Sequence, residues 1–189
     1  DTSGQLFLSP APRRYVQLEL RFVSEKPLAS AALNELRIEY NQPLAQTTRA
    51  EIFPPRSEPG QTGNFTYYIR AEMASSSRGF NQIQIVSSAG LSFENLRIDG
   101  QAQAVESASI EQGILLRLTE PVRRSALVEI DFQSTIFLNQ TRFDAYLLNS
   151  ALGPQVRQPV DPGDADERID SGVTFVALPS NDRLLDNLT

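Results

Sequence analysis

Apolar and polar residues alternate along this chain with a period of two, and that habit restricts it to sheets. Val16, Leu18, Leu20 and Phe22 are interleaved with Gln17, Glu19 and Arg21, which places one dry and one wet face on a strand over 15–22. The pattern recurs at Leu36, Ile38 and Tyr40, at Phe65, Tyr67, Ile69, Ala71 and Met73, and at Val128, Ile130 and Phe132. Shorter runs at 49–53, 82–86, 96–98, 114–118, 143–148 and 173–178 read as further strands. A chain with so many half-apolar strands buries its dry faces by packing sheet on sheet.

Punctuation supports the same reading. Pro54-Pro55, Glu58-Pro59-Gly60 and the segment Ser75 to Gly79 break the alternation, and Asp99-Gly100 is a strong two-residue hairpin signal. About ten strands with turns at short intervals predict an all-β fold, an antiparallel immunoglobulin-like β-sandwich. Helix is confined to two short possibilities, 27–36 and 183–188. Asn41-Gln42-Pro43 interrupts the pattern, so three parts are expected. Residues 1–44 form an N-terminal β segment, packed on the sandwich or making a small second β subdomain. Residues 45–180 are the sandwich, and 181–189 a C-terminal tail. The Pro-, Gly- and Asp-rich stretch 150–172 reads as a long loop.

Composition decides which chemistries are open. The 189 residues include no His, Cys or Trp, which removes imidazole and thiol bases, nucleophiles and metal ligands. Of seventeen basic residues one, Lys26, is a lysine, leaving sixteen arginines. A Ser–Lys pair would have to use Lys26, beside Pro27 in an expected turn. A net charge of −6 argues against nucleic acid, whose phosphates need a basic stripe. No apolar run reaches the roughly 18 residues of a membrane helix. The Arg-for-Lys bias and abundant Ala point to a GC-rich bacterial genome. A start at Asp1 suits a processed mature protein or an excised fragment.

Three constellations remain. Asp161, Asp164 and Asp166 around Gly163 form a low-density calcium candidate, since calcium takes six to eight oxygens from converging carboxylates. A twelve-residue loop begun at Asp161 closes on Gly172 instead of an acid, and Arg157 and Arg168 flank it, so an ordinary acidic turn is the competing reading. No other cofactor is expected. Glu129 and Asp131 share a wet strand face and bear on a glycosidase pair, although alternating acids are what any solvated strand shows. Tyr67 and Tyr68 near Phe65, and Tyr146 near Phe143, bear on carbohydrate stacking. Of these, Phe65 and Tyr67 fall on the dry face and Tyr68 on the wet one.

Two sets of segments carry a resemblance. Arg14-Tyr15-Val16-Gln17-Leu18 followed by Leu36-Arg37-Ile38-Glu39-Tyr40 resembles the closing strands of discoidin-like sandwiches. Gly79-Phe80-Asn81-Gln82-Ile83-Gln84-Ile85, Leu96-Arg97-Ile98-Asp99-Gly100 and Val160-Asp161-Pro162-Gly163-Asp164 are similar to uncharacterised immunoglobulin-like modules of bacterial exported and surface proteins. The missing catalytic repertoire, the strand alternation and this resemblance together lead to the expectation of a non-catalytic module that contacts other proteins outside the cytoplasm, in the periplasm or at the cell surface. It would act as a structural or accessory subunit, with a seat on a membrane complex as one setting. A carbohydrate-binding module is the alternative, and no catalytic residue comes with either.

Overall fold

The computed structural model describes residues 17–23, 32–38, 40, 42–153 and 156–179. The chain divides into two units, Asp1–Asn41 and Gln42–Thr189. In the first unit, residues 17–23 and 32–38 carry neither strand nor helix. Near-neighbour ion pairs join Arg21 to Glu19 at 3.3 Å and Arg37 to Glu35 at 2.8 Å. This corrects the strands expected over 15–22 and 36–40 in their described parts, 17–22, 36–38 and 40, while 15, 16 and 39 lie outside the described residues: alternation supplies the faces of a strand, but only a paired ladder satisfies its backbone. The helix expected over 27–36 is absent from its described part, 32–36. Its remainder, Lys26, the 183–188 segment and the 181–189 tail lie outside the described residues.

Thirteen strands build the second unit: β1 Thr47–Phe53, β2 Thr62–Glu72, β3 Phe80–Val86, β4 Leu91–Ile98, β5 Gln101–Ala102, β6 Val105–Ile110, β7 Gly113–Val122, β8 Ala126–Thr135, β9 Gln140–Arg142, β10 Asp144–Leu148, β11 Arg157–Pro159, β12 Asp161–Pro162 and β13 Phe175–Ala177. They form a six-stranded sheet in the order β12-β1-β2-β8-β4-β5, a five-stranded sheet β11-β10-β3-β7-β6, and the pair β13-β9. All pairings named between strands are antiparallel except β1 with β12. The fold is all-β, an antiparallel immunoglobulin-like sandwich. Among the described residues no helix is long and apolar enough to cross a membrane.

The dry faces predicted by alternation meet in one core. Ile52, Tyr67, Ile69, Leu96, Val128, Ile130 and Phe132 of the first sheet pack with Ile83, Ile85, Leu116, Ala145 and Leu147 of the second. Phe132 and Phe143 lie 5.5 Å apart between ring centroids, and Phe65 and Phe132 5.8 Å. Such tilted and offset aromatic pairs add to burial. Fully buried Tyr67 is satisfied there by donating its hydroxyl to the Phe143 carbonyl at 2.9 Å. The sandwich begins before β1. The amides of Leu44 and Ala45 donate to the Gln158 Oε1 at 2.8 and 3.1 Å, and Gln158 Nε2 returns a bond to the Ala45 carbonyl.

Register follows the turns. Asp99 and Gly100 both take positive φ, 49° and 79°, as a two-residue hairpin between β4 and β5 requires. A bulge between Phe93 and Asn95 shifts β4 against β8, so Leu91 and Phe93 lose phase with Leu96 and Ile98. That phase change is why only 96–98 reads as a strand in sequence. The 150–172 stretch is also more structured than the loop expected. It holds a 3-10 turn at Ser150–Leu152 and the short strands β11 and β12.

Candidate functional site

Two outer faces bound the sandwich, and they differ in chemistry. On the six-stranded sheet, register aligns Glu51 of β1, Tyr68 of β2, Glu129 of β8 and Arg97 of β4 in one row. One row away, Thr66 faces Asp131 and donates to its Oδ1 at 2.8 Å. Arg97 bridges the two acids of β8, its Nε donating to Glu129 at 2.8 Å and its two terminal nitrogens pairing with Asp131. The pair considered for glycoside cleavage is thus brought together, but both carboxylates are charge partners of one arginine. A general acid needs the opposite, a carboxyl held neutral by its surroundings.

Residues 163–172 cross this face as a strap, and Glu51 fastens it. Its carboxylate is fully buried and accepts five hydrogen bonds. The amides of Ala165 and Asp166 bind Oε1, both at 2.8 Å, while Oε2 takes the Ser171 amide, the Ser171 hydroxyl and the Gly172 amide. Burial alone would push its pKa up, but the amides of Asp166, Gly172 and Ala165 and the Ser171 hydroxyl hold it below the ordinary carboxylate range. Strap and sheet are further joined by Arg70 Nε donating to the Ala165 carbonyl at 2.9 Å.

The strap contains two of the three calcium candidates. Asp161 stands exposed on β12 and Asp164 is exposed on the strap, whereas Asp166 is buried. Arg168 Nε lies 3.0 Å from both Asp166 oxygens. That hydrogen-bonded guanidinium is the chief cause of the lowered Asp166 pKa, with burial opposing it. Among the described residues no group of three acidic side chains gathers with metal-binding geometry. The same guanidinium reaches Glu129 at 3.4 Å, so Glu51, Asp166, Arg168, Glu129, Arg97 and Asp131 form a continuous polar layer. Sequence reasoning missed Glu51, because nothing in the run Arg49–Phe53 shows that a distant segment will cover its wet side.

Tyr68 sits in this layer. Burial raises its pKa first, Thr66 opposes by hydrogen bonding, and the charges of Glu129 and Asp166 add to the rise. Tyr146 lies instead on the outer face of the five-stranded sheet, with the Arg157 guanidinium 4.6 Å above its ring centroid. Phe143, its expected companion, is fully buried. The proposed sugar platforms are therefore separated: Tyr67, Phe65 and Phe143 are core, and the two outward tyrosines face opposite sides.

The outer face of the five-stranded sheet is apolar and amide-bearing at its centre. Register places Pro159, Tyr146, Gln84, Leu115 and Ala108 in one row across β11, β10, β3, β7 and β6. Gln82, Gln84, Ile110, Leu115, Leu148 and Asn149 are among the residues lining a shallow depression of about 330 Å³ on this face. Carboxylates stay at its margins, where Glu106 pairs with Arg117 at 3.0 Å.

This geometry defines a β-sandwich module with one closed polar face and one open apolar face. No protein-family model matches the chain, and no curated protein matches it. Solved structures to which the chain is similar include the N-terminal domain of the Streptococcus gordonii adhesin Sgo0707, at 11% identity, covering 73% of this chain and 34% of that one with a TM-score of 0.48. The full-length major pilin SpaD of Corynebacterium diphtheriae aligns at 10% identity, over 60% of this chain and 33% of the pilin, with a TM-score of 0.42. The human F-spondin reeler domain aligns at 11% identity over 76% of this chain and 97% of that domain, with a TM-score of 0.41. The chain spans about a third of the length of the adhesin domain and of the pilin.

Proposed function

We propose that this chain is a non-catalytic β-sandwich module that works outside the cytoplasm by contacting another protein, as a structural or accessory subunit of a surface or membrane-associated assembly. The contrast between the two outer faces carries this reading. The face of the six-stranded sheet is filled by its own ion pairs and strap. The other offers Leu115, Leu148, Ile110 and Tyr146 around Gln82 and Gln84, the mixture of apolar centre and polar rim that protein interfaces use.

Leu115 stands at the middle of that face and half-buried. Leu115→Arg is expected to leave thermal melting within about 1 kcal/mol of the parent, because the side chain points away from the core. It should abolish retention of the partner that the parent chain captures from the envelope of its own cells. Glu167→Gln, on the strap, should retain that partner. A parent chain that captures nothing, or a partner indifferent to Leu115→Arg, overturns the proposal. A glycan array provides the second arm: saturable sugar binding lost in Tyr146→Ala would assign the face to carbohydrate instead.

A further inference from the structure

The four sheet edges of the sandwich are not protected alike. Strand β5 offers two residues, β12 offers two including Pro162, and β11 offers three including Pro159. Short length and proline are the usual means of blunting an edge. Strand β6 has neither. It presents the six residues Val105–Ile110, pairs among the described residues with β7 alone, and ends the five-stranded sheet. Its sole charge, Glu106, is already engaged with Arg117.

The same chain carries a strand pattern that has no strand. Residues 17–23 alternate Gln17, Glu19 and Arg21 with Leu18, Leu20 and Phe22, yet form no ladder. Leu18, Leu20 and Phe22 are 43%, 52% and 55% exposed, a liability unless a partner covers them. We infer that segment 17–23 of one copy adds as a strand to the β6 edge of a second copy.

The two sides fit in length and chemistry. Seven residues of extended chain span roughly 23 Å and six span roughly 20 Å, so the added strand pairs along the whole edge. On the outer face, β6 shows Glu106, held by Arg117, and then Ala108 and Ile110 opposite Leu115 and Gly113 of β7, and Leu18, Leu20 and Phe22 extend the apolar end of that strip. The opposite face of the edge shows half-buried Val105 with Ser107 and Ser109, both exposed, and the two serines suit the polar set Gln17, Glu19 and Arg21. Backbone ladder bonds supply the contact and the alternate side chains set its register. Donor and acceptor are different surfaces, so one-way addition builds a head-to-tail chain and reciprocal exchange closes a two-fold dimer, and both register as association.

Sedimentation velocity of the full chain over a concentration series tests this directly. Association that grows with concentration is expected, and Leu18→Asp with Leu20→Asp should abolish it while leaving the melting curve unchanged, because neither residue belongs to the sandwich core. Adjacent edge amides point alternately toward and away from β7. One of Ser107→Pro and Ala108→Pro therefore spares the fold, and that variant should also stay monomeric. Since the chain has no cysteine, Leu20→Cys and Ala108→Cys placed on separate copies and mixed should give an oxidised cross-linked dimer. A parent chain that is monomeric at every concentration overturns the inference, as does association indifferent to the double aspartate variant. Capture of another protein through Leu115 is read in a separate experiment, so either result can fail alone.

Discussion

Gly113 is the residue at which the five-stranded sheet is least tolerant. It opens β7 at a φ of +132°, and a Cβ there would stand 1.9 Å from the Ile85 carbonyl oxygen of the neighbouring strand. Gly100 shares the positive φ, at 79°, but has open space around it. Gly100→Ala therefore meets only the left-handed backbone penalty, about 1–2 kcal/mol. Gly113→Ala meets a steeper penalty, since φ +132° lies outside the left-handed region that L-residues visit, and must also move the backbone of β3, so its urea midpoint should fall well below that of Gly100→Ala. Equal midpoints would mean that the β3–β7 approach is looser than described. Only one of these glycines announces itself in sequence. Asp99-Gly100 is a hairpin dipeptide with a mechanism behind it, whereas Gly113 owes its importance to Ile85, a neighbour across the sheet.

Among the elements, the strap over 163–172 shows how a local motif misleads when its partner is remote. Its acids read as a cation loop, but the buried charge that organises it is Glu51, which hands its oxygens to the strap's own amides. The signs of the shifts set the pH dependence. Glu51 and Asp166 both have lowered pKa values in the folded protein, so their stabilisation is complete above the unfolded carboxylate range and is lost as pH falls through the folded values. Amide protection in 163–172, measured against the intrinsic exchange rate at each pH, should fall below pH ~4, ahead of protection in β2 and β8. Glu51→Gln replaces one acceptor oxygen by an NH2 that faces N–H donors. It should loosen the strap already at neutral pH and remove most of that acid response. Protection of 163–172 that is unchanged in Glu51→Gln would show that the strap is held by Arg70 and Arg168 instead.

At the scale of the molecule, period-two alternation was enough to place the sandwich, because each dry face finds its partner whatever the details of the loops. Phe65, Tyr67 and Ile69 of β2 and Val128, Ile130 and Phe132 of β8 are buried in phase with their sequence pattern. The same pattern at Leu18, Leu20 and Phe22 produced no strand, since alternation supplies two faces but not the paired neighbour that a strand's backbone needs. Strand β6 escaped notice for the converse reason: Val105–Ile110 is an edge whose exposed serines blur the alternation. What joins the layers is the contact of Phe132 with Phe65 and Phe143. Phe132 comes from β8, the strand flanked by both β2 and β4, and Phe143 from the link between β9 and β10. Removing the ring strands a cavity between the two sheets, at a cost of about 3–5 kcal/mol. That is a large part of the 5–15 kcal/mol typical of a whole domain, so Phe132→Ala should shift the urea midpoint sharply yet keep a single transition by fluorescence and circular dichroism. A midpoint left unshifted in that variant would show that the aromatic contact is not what joins the two sheets.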